Sequence, residues 1–91
     1  MSRDYLGEFD NFLCIEKGHS PNTVAAYCRD LKTLLEFCKE HGLEVTQAGR
    51  EDIVHWSRHL LSSGLSARST SRALNAARSF YRFLLGDRMI S

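Results

Sequence analysis

Ninety-one residues, 43% apolar and 25% charged with one proline, suffice for one small folded domain and are too little biased for extended disorder. The net charge of +1 excludes a uniformly basic chain, yet it hides a gradient, because residues 1–52 balance to −4 and residues 53–91 to +5. No apolar run approaches the roughly 20 residues that cross a bilayer, and Met1-Ser2-Arg3-Asp4-Tyr5 opens no signal-peptide core, so the expected setting is the cytoplasm, with no membrane partner.

The apolar spacing predicts four helices and no strand. The first covers Arg3 to Lys17, with Tyr5, Leu6, Phe9, Phe12 and Leu13 on one side, and Gly18-His19 ends it. Ser20 then stands as N-cap with Pro21 at the first helical position, where the missing amide hydrogen costs nothing. From that cap the second helix runs to His41. Val24, Tyr27, Cys28, Leu31, Leu34, Leu35 and Cys38 form its inner stripe, and Gly42 stops it. On the opposite side lie Asn22, Ala26, Arg29 and Thr33.

Leu43 to Gly49 is the longest connection. A third helix spans Arg50 or Glu51 to Ser63, burying Ile53, Trp56, Leu60 and Leu61, and Gly64 closes it. Ser66 caps a fourth helix that Gly86 ends. Short links between four amphipathic helices imply an all-α fold, a compact four-helix bundle. The cysteines Cys14, Cys28 and Cys38 are an odd count without metal-ligand spacing and read as small hydrophobes in or beside the apolar stripes.

Chemistry-bearing groups are sparse. His55 and His59 share a face of the third helix, but Trp56 stands where a metalloprotease would carry glutamate, and no third ligand is evident. No glycine-rich phosphate loop is present, and Tyr27 and Tyr81 belong to apolar stripes as core rings with bonded hydroxyls. Catalytic residues, metal ligands and cofactors are therefore not expected.

The informative stretch is Ser66 to Leu85, which holds four arginines and no carboxylate. On a helical wheel Arg68, Arg72, Arg78 and Arg82 fall within a sector of roughly 120°, together with Ser71, Asn75 and Ser79. Ala73, Leu74, Ala77, Phe80, Tyr81 and Leu84 fill the other side. The expectation is an outward guanidinium stripe that no acid neutralises, suited to a phosphate backbone and able to reach guanine edges. An acidic protein surface would suit the same stripe, so a helical protein–protein interaction module is the second reading.

The stretch Ser20 to Leu31 and the later stretch Gly64 to Leu84 together resemble the N-terminal domain of tyrosine recombinases of the phage-integrase and Xer type. Ser20-Pro21-Asn22-Thr23-Val24-Ala25-Ala26-Tyr27-Cys28-Arg29-Asp30-Leu31 is similar to that family's S-x-N-T-x-x-x-Y-x-x-D-L segment. Gly64 to Leu84 resembles its G-L-S-x-x-S-x-x-R-x-L-S-A-x-R-x-F-Y-x-F-L helix, departing at Asn75, where serine is commoner. Another departure is the Thr46-Gln47-Ala48-Gly49 loop.

The resemblance implies a SAM-like orthogonal four-helix core-binding domain, one module over residues 1–91, whose second and fourth helices face double-stranded DNA during integration or recombination. Joined with the polar faces read from the residues, this makes Asn22, Thr23 and Arg29 on the second helix, and Arg68, Ser71, Arg72, Asn75, Arg78 and Arg82 on the fourth, the expected DNA-binding residues. The resemblance also implies that the arginine, lysine, histidine and tyrosine of the reaction lie in a catalytic domain of the same polypeptide outside this chain, which stops about where a linker would begin. On that reading the partners are DNA, that catalytic domain and other recombinase protomers on DNA. His55-Trp56-Ser57-Arg58 has the letters of the family's His-x-x-Arg pair but sits in the wrong domain, and none of the three tyrosines is the nucleophile.

Overall fold

A computed structural model describes residues 3–16 and 18–86. In chain order come α1 (Tyr5–Ile15), α2 (Pro21–Glu40), one 3-10 turn (Val45–Gln47), α3 (Arg50–Ser62) and α4 (Ala67–Gly86), with no strand among the described residues. The fold is the expected all-α four-helix architecture, with extents of 33 × 28 × 23 Å.

Local chemistry sets the helix ends. α1 is shorter than expected: Asp4 caps it by accepting the Gly7 amide at 3.0 Å, so Arg3 lies outside it, and Lys17 falls outside the described residues. Ser20 Oγ accepts the Thr23 amide at 3.1 Å, with Pro21 in the first turn, as the sequence predicts. Ser66 Oγ accepts the Ser69 amide at 3.1 Å and starts α4 the same way.

α2 and α3 end alike. Gly42 and Gly64 take φ of 62° and 99°, the left-handed region open to glycine at little cost. The Leu43 amide then bonds the Cys38 carbonyl at 2.8 Å, and the Leu65 amide bonds the Leu60 carbonyl at 3.1 Å. Each is the long bond of a Schellman stop, with leucine turned back toward the helix it terminates. Gly86 is the last described residue of α4, and 87–91 lie outside the description.

α4 is the hub, packing against α1, α2 and α3. Its inner face carries Ala73, Ala76, Ala77, Phe80 and Leu84, all buried. The small residues let neighbouring helices approach, and Phe80 fills the centre. Its ring meets Tyr5 and Phe9 edge-to-face, with centroids 5.7 and 5.6 Å away, the geometry aromatic quadrupoles favour. Trp56 is fully buried from the α3 side and donates its indole N–H to Thr33 Oγ1 at 3.3 Å.

Four expectations are corrected by the packing. Leu61 is 49% exposed, because the inner arc of α3 is already filled by Ile53, Trp56 and Leu60. Cys14 is exposed beside Asp10 and is no core hydrophobe. Thr33 turns inward, its hydroxyl donating to the Asp30 carbonyl while accepting from Trp56. Phe37, absent from the expected stripe of α2, is buried.

Candidate nucleic-acid interface

On α4 the residues Arg68, Ser71, Asn75, Arg78 and Arg82 are all exposed, and their spacing of three and four keeps them on one side of the helix. The outward stripe is thus present. The expectation that no acid neutralises it is overturned at two of its four arginines.

Arg72 leans off the stripe onto α2. Its Nε and Nη2 donate to the two oxygens of Asp30, both at 2.9 Å, across 42 residues of chain. This is the two-pronged fork that guanidinium and carboxylate geometry favours. The Asp30 side chain is 5% exposed and that of Arg72 34%. The hydrogen bond to Asp30 holds the Arg72 guanidinium charged even more firmly than usual. Arg72 is therefore first a tie between α2 and α4, with one edge toward solvent.

Arg82 is held more loosely. Its Nη2 donates to both Glu16 oxygens at 2.8 and 2.7 Å, its side chain stays 60% exposed, and no bond to the described residues uses its Nε or Nη1. His19 Nε2 lies 2.6 Å from Glu16 Oε1 on the other side. The hydrogen bond with His19, then the charge of Arg82, holds the Glu16 carboxyl below its ordinary range. A carboxyl depressed in the folded state adds stability above its unfolded pKa, and that stability is lost as pH falls through the folded value. Glu16→Gln therefore lowers unfolding free energy at neutral pH by about 1 kcal/mol or less, because Arg82 is 60% exposed and Glu16 and His19 are only part-buried. The difference from the parent persists into the ordinary glutamate range, about 4.3, and disappears only at lower pH, once the folded-state carboxyl is itself protonated. Urea unfolding at both pH values checks this; an equal loss at each would reject it.

Arg68 and Arg78 make no ion pair among the described residues and stand exposed. On α2, Asn22 and Arg29 are exposed. Thr23 is half-buried, and its hydroxyl lies 3.0 Å from Ser20 Oγ, so it helps close the cap. Asp30 ties α2 directly to α4, which brings the two helices expected to face DNA side by side.

Sequence reasoning missed Asp30 and Glu16. A signal for Asp30 was available: it directly precedes Leu31 and lies four residues before Leu34, so it borders the buried stripe, where a carboxylate must find a partner. For Glu16 only the contact with His19, three residues on, is local; nothing near it in sequence points to Arg82, 66 residues away.

Tyr81 donates its hydroxyl to the Val45 carbonyl at 2.7 Å, and burial pushes its phenol pKa far up, so it is a structural ring as expected. The thiols are not activated either. Desolvation raises the pKa of Cys28 and Cys38, and desolvation with the hydrogen bond to Asp10 raises that of Cys14.

The family model "Phage integrase, N-terminal SAM-like domain" matches residues 6–87. Among curated proteins the chain is similar to tyrosine recombinase XerD of Rhizobium meliloti, 34% identical over 87 residues that cover 96% of this chain and 28% of that protein. It is similar to tyrosine recombinase XerC of Leptospira interrogans serovar copenhageni, 38% identical over 84 residues, 91% of this chain and 27% of that protein. It also resembles tyrosine recombinase XerD of Chlorobaculum tepidum, 38% identical over 87 residues, 96% of this chain and 29% of that protein. The chain spans less than a third of the length of these relatives. No solved structure matches it.

Proposed function

The chain belongs to the phage-integrase N-terminal SAM-like domain family, and from that premise we propose that it is a duplex-DNA-gripping module of a site-specific tyrosine recombinase. The observation that carries this is the exposed α4 stripe with two guanidinium groups, Arg68 and Arg78, that no acid among the described residues occupies. They take phosphates. Ser71 and Asn75 between them are short enough to let the helix approach a groove and hydrogen-bond there. Arg82 adds a phosphate contact through Nε and Nη1 without leaving Glu16.

On the neighbouring helix Asn22 and Arg29 complete the surface, and Thr23 shapes its leading end. Arg72 contributes mainly by holding α2 and α4 in one register, with its solvent edge facing the duplex. The module covers residues 1–91 as one unit and is itself no enzyme. Its partners are duplex DNA, a catalytic domain of the same polypeptide that supplies the strand chemistry, and other recombinase protomers on the site.

Affinity is modest and salt-controlled, because each phosphate neutralised by a cation releases condensed counterions. Arg68→Ala and Arg78→Ala should each flatten the slope of log K against log salt by about 0.9. Fluorescence anisotropy with unrelated duplexes reads that slope. Amide NMR shifts on adding duplex should concentrate on α2 and α4. Parent-like slopes in both variants, with those helices silent, would reject the proposal and favour an acidic protein surface as partner.

A further inference from the structure

The unpaired cations do not stop at the edge of α4. Arg78 lines a groove of about 460 Å³ between α3 and α4, floored by Ile53, Val54, Leu74 and Ala77, and Arg50 stands on its opposite rim. Arg50 and Val54 also line a second depression of about 590 Å³, whose remaining walls are Glu51, His55 and Arg58. The two openings share those residues, so one trough runs from α4 along the outer side of α3. Arg50, Val54 and Arg58 lie four apart on α3, on one face of the helix.

The charge of this trough is concealed in the sequence, where Glu51 and Asp52 follow Arg50 directly. The structure removes Asp52 from the account: its carboxylate accepts the Gly49 amide at 2.8 Å and caps the helix. Arg50, Arg58 and Arg78 are exposed and make no ion pair among the described residues, leaving Glu51 as the one carboxylate lining the trough.

We propose that this α3 trough is a second phosphate-binding track, in which Arg50 and Arg58 contact the DNA backbone beyond the stretch covered by α4. Eight residues of helix separate the two arginines, roughly 12 Å along the axis at about 1.5 Å per residue. That span matches about three to four base pairs of rise along one strand at roughly 3.4 Å each. Arg78 belongs to both surfaces and makes the track continuous with the α4 stripe. The inference rests on the DNA reading above and enlarges its footprint.

The experiment is a salt titration of duplex binding for the 91-residue chain, with Arg50→Gln, Arg58→Gln, their double variant, and Lys39→Gln, an exposed cation near the far end of α2, as a control for bulk charge. Each arginine variant should flatten the slope by about 0.9 and the double by about 1.8, with the control unchanged. If the parent binds duplex and the double variant keeps the parent slope, the α3 track is overturned while the α4 surface stands. If the control flattens the slope as much as either arginine variant, only bulk charge is being read and the track is overturned. If the parent binds no duplex at low salt, the DNA reading fails and the track with it. Losing affinity for poly-glutamate with an unchanged duplex slope overturns the track in favour of an acidic protein segment. Circular dichroism of each variant confirms that the helices are intact.

Discussion

Arg72→Ala should destabilise the domain by about 3 kcal/mol, and Asp30→Ala by clearly less. The asymmetry follows from burial. Losing Arg72 strands the Asp30 carboxylate at 5% exposure without its counter-charge, and an unpaired buried ion costs about 3–5 kcal/mol. Losing Asp30 frees a guanidinium that is already a third exposed and can swing into water, so the cost is nearer 1–2 kcal/mol. Asp30→Leu with Arg72→Met replaces the pair by apolar bulk and should recover most of the stability lost in Arg72→Ala. Urea unfolding of the three variants measures all of this. Equal losses in the two single variants would show that the pair is solvated and contributes only as a surface bridge.

Phe80→Ala is expected to cost about 3–5 kcal/mol, a large share of the roughly 5–15 kcal/mol that holds a domain of this size together. Phe80 is fully buried, and its ring neighbours Tyr5 and Phe9 on α1 and Tyr81 and Phe83 on α4. Truncation opens a cavity where helices meet, and the surrounding rings cannot all collapse into it. At about 4–8 °C per kcal/mol, the melting temperature should fall by about 12 °C or more. Phe80→Leu, which keeps most of the volume, should lose less than half as much. A thermal melt followed at 222 nm separates the two, and a drop of only a few degrees for Phe80→Ala would mean the core repacks around the gap.

The start of α2, the stops of α2 and α3 and the start of α4 were readable from the chain because their determinants are local, whereas the Asp4 cap of α1 was missed. Ser20 with Pro21, Gly42, Gly64 and Ser66 act within a few residues of themselves, and each does in the structure what its chemistry predicts. Faces were less readable. Periodicity identifies an apolar arc but not its width, which depends on how closely the partner helix approaches. Leu61 therefore falls outside the arc, and Phe37 inside it.

Pairing across the fold was the least readable. The wheel of α4 correctly placed Arg68, Ser71, Asn75, Arg78 and Arg82 on the exposed side. It could not show that Asp30 reaches Arg72 from α2, or that Glu16 reaches Arg82 from the end of α1. Those contacts exist only once the helices are assembled. They halve the number of guanidinium groups on α4 without an acidic partner and shift attention to cations on the next helix.

Burial sorts the three native thiols for labelling. Alkylation needs an accessible thiolate; Cys38 is buried, Cys28 is half-buried, and desolvation raises the pKa of both, whereas Cys14 is exposed. In a Cys14→Ser background, a cysteine introduced at the exposed Asn75 position would outpace Cys28 and Cys38 toward a maleimide dye near neutral pH. Distances from the guanidinium stripe to a fluorophore-tagged duplex then become measurable by energy transfer.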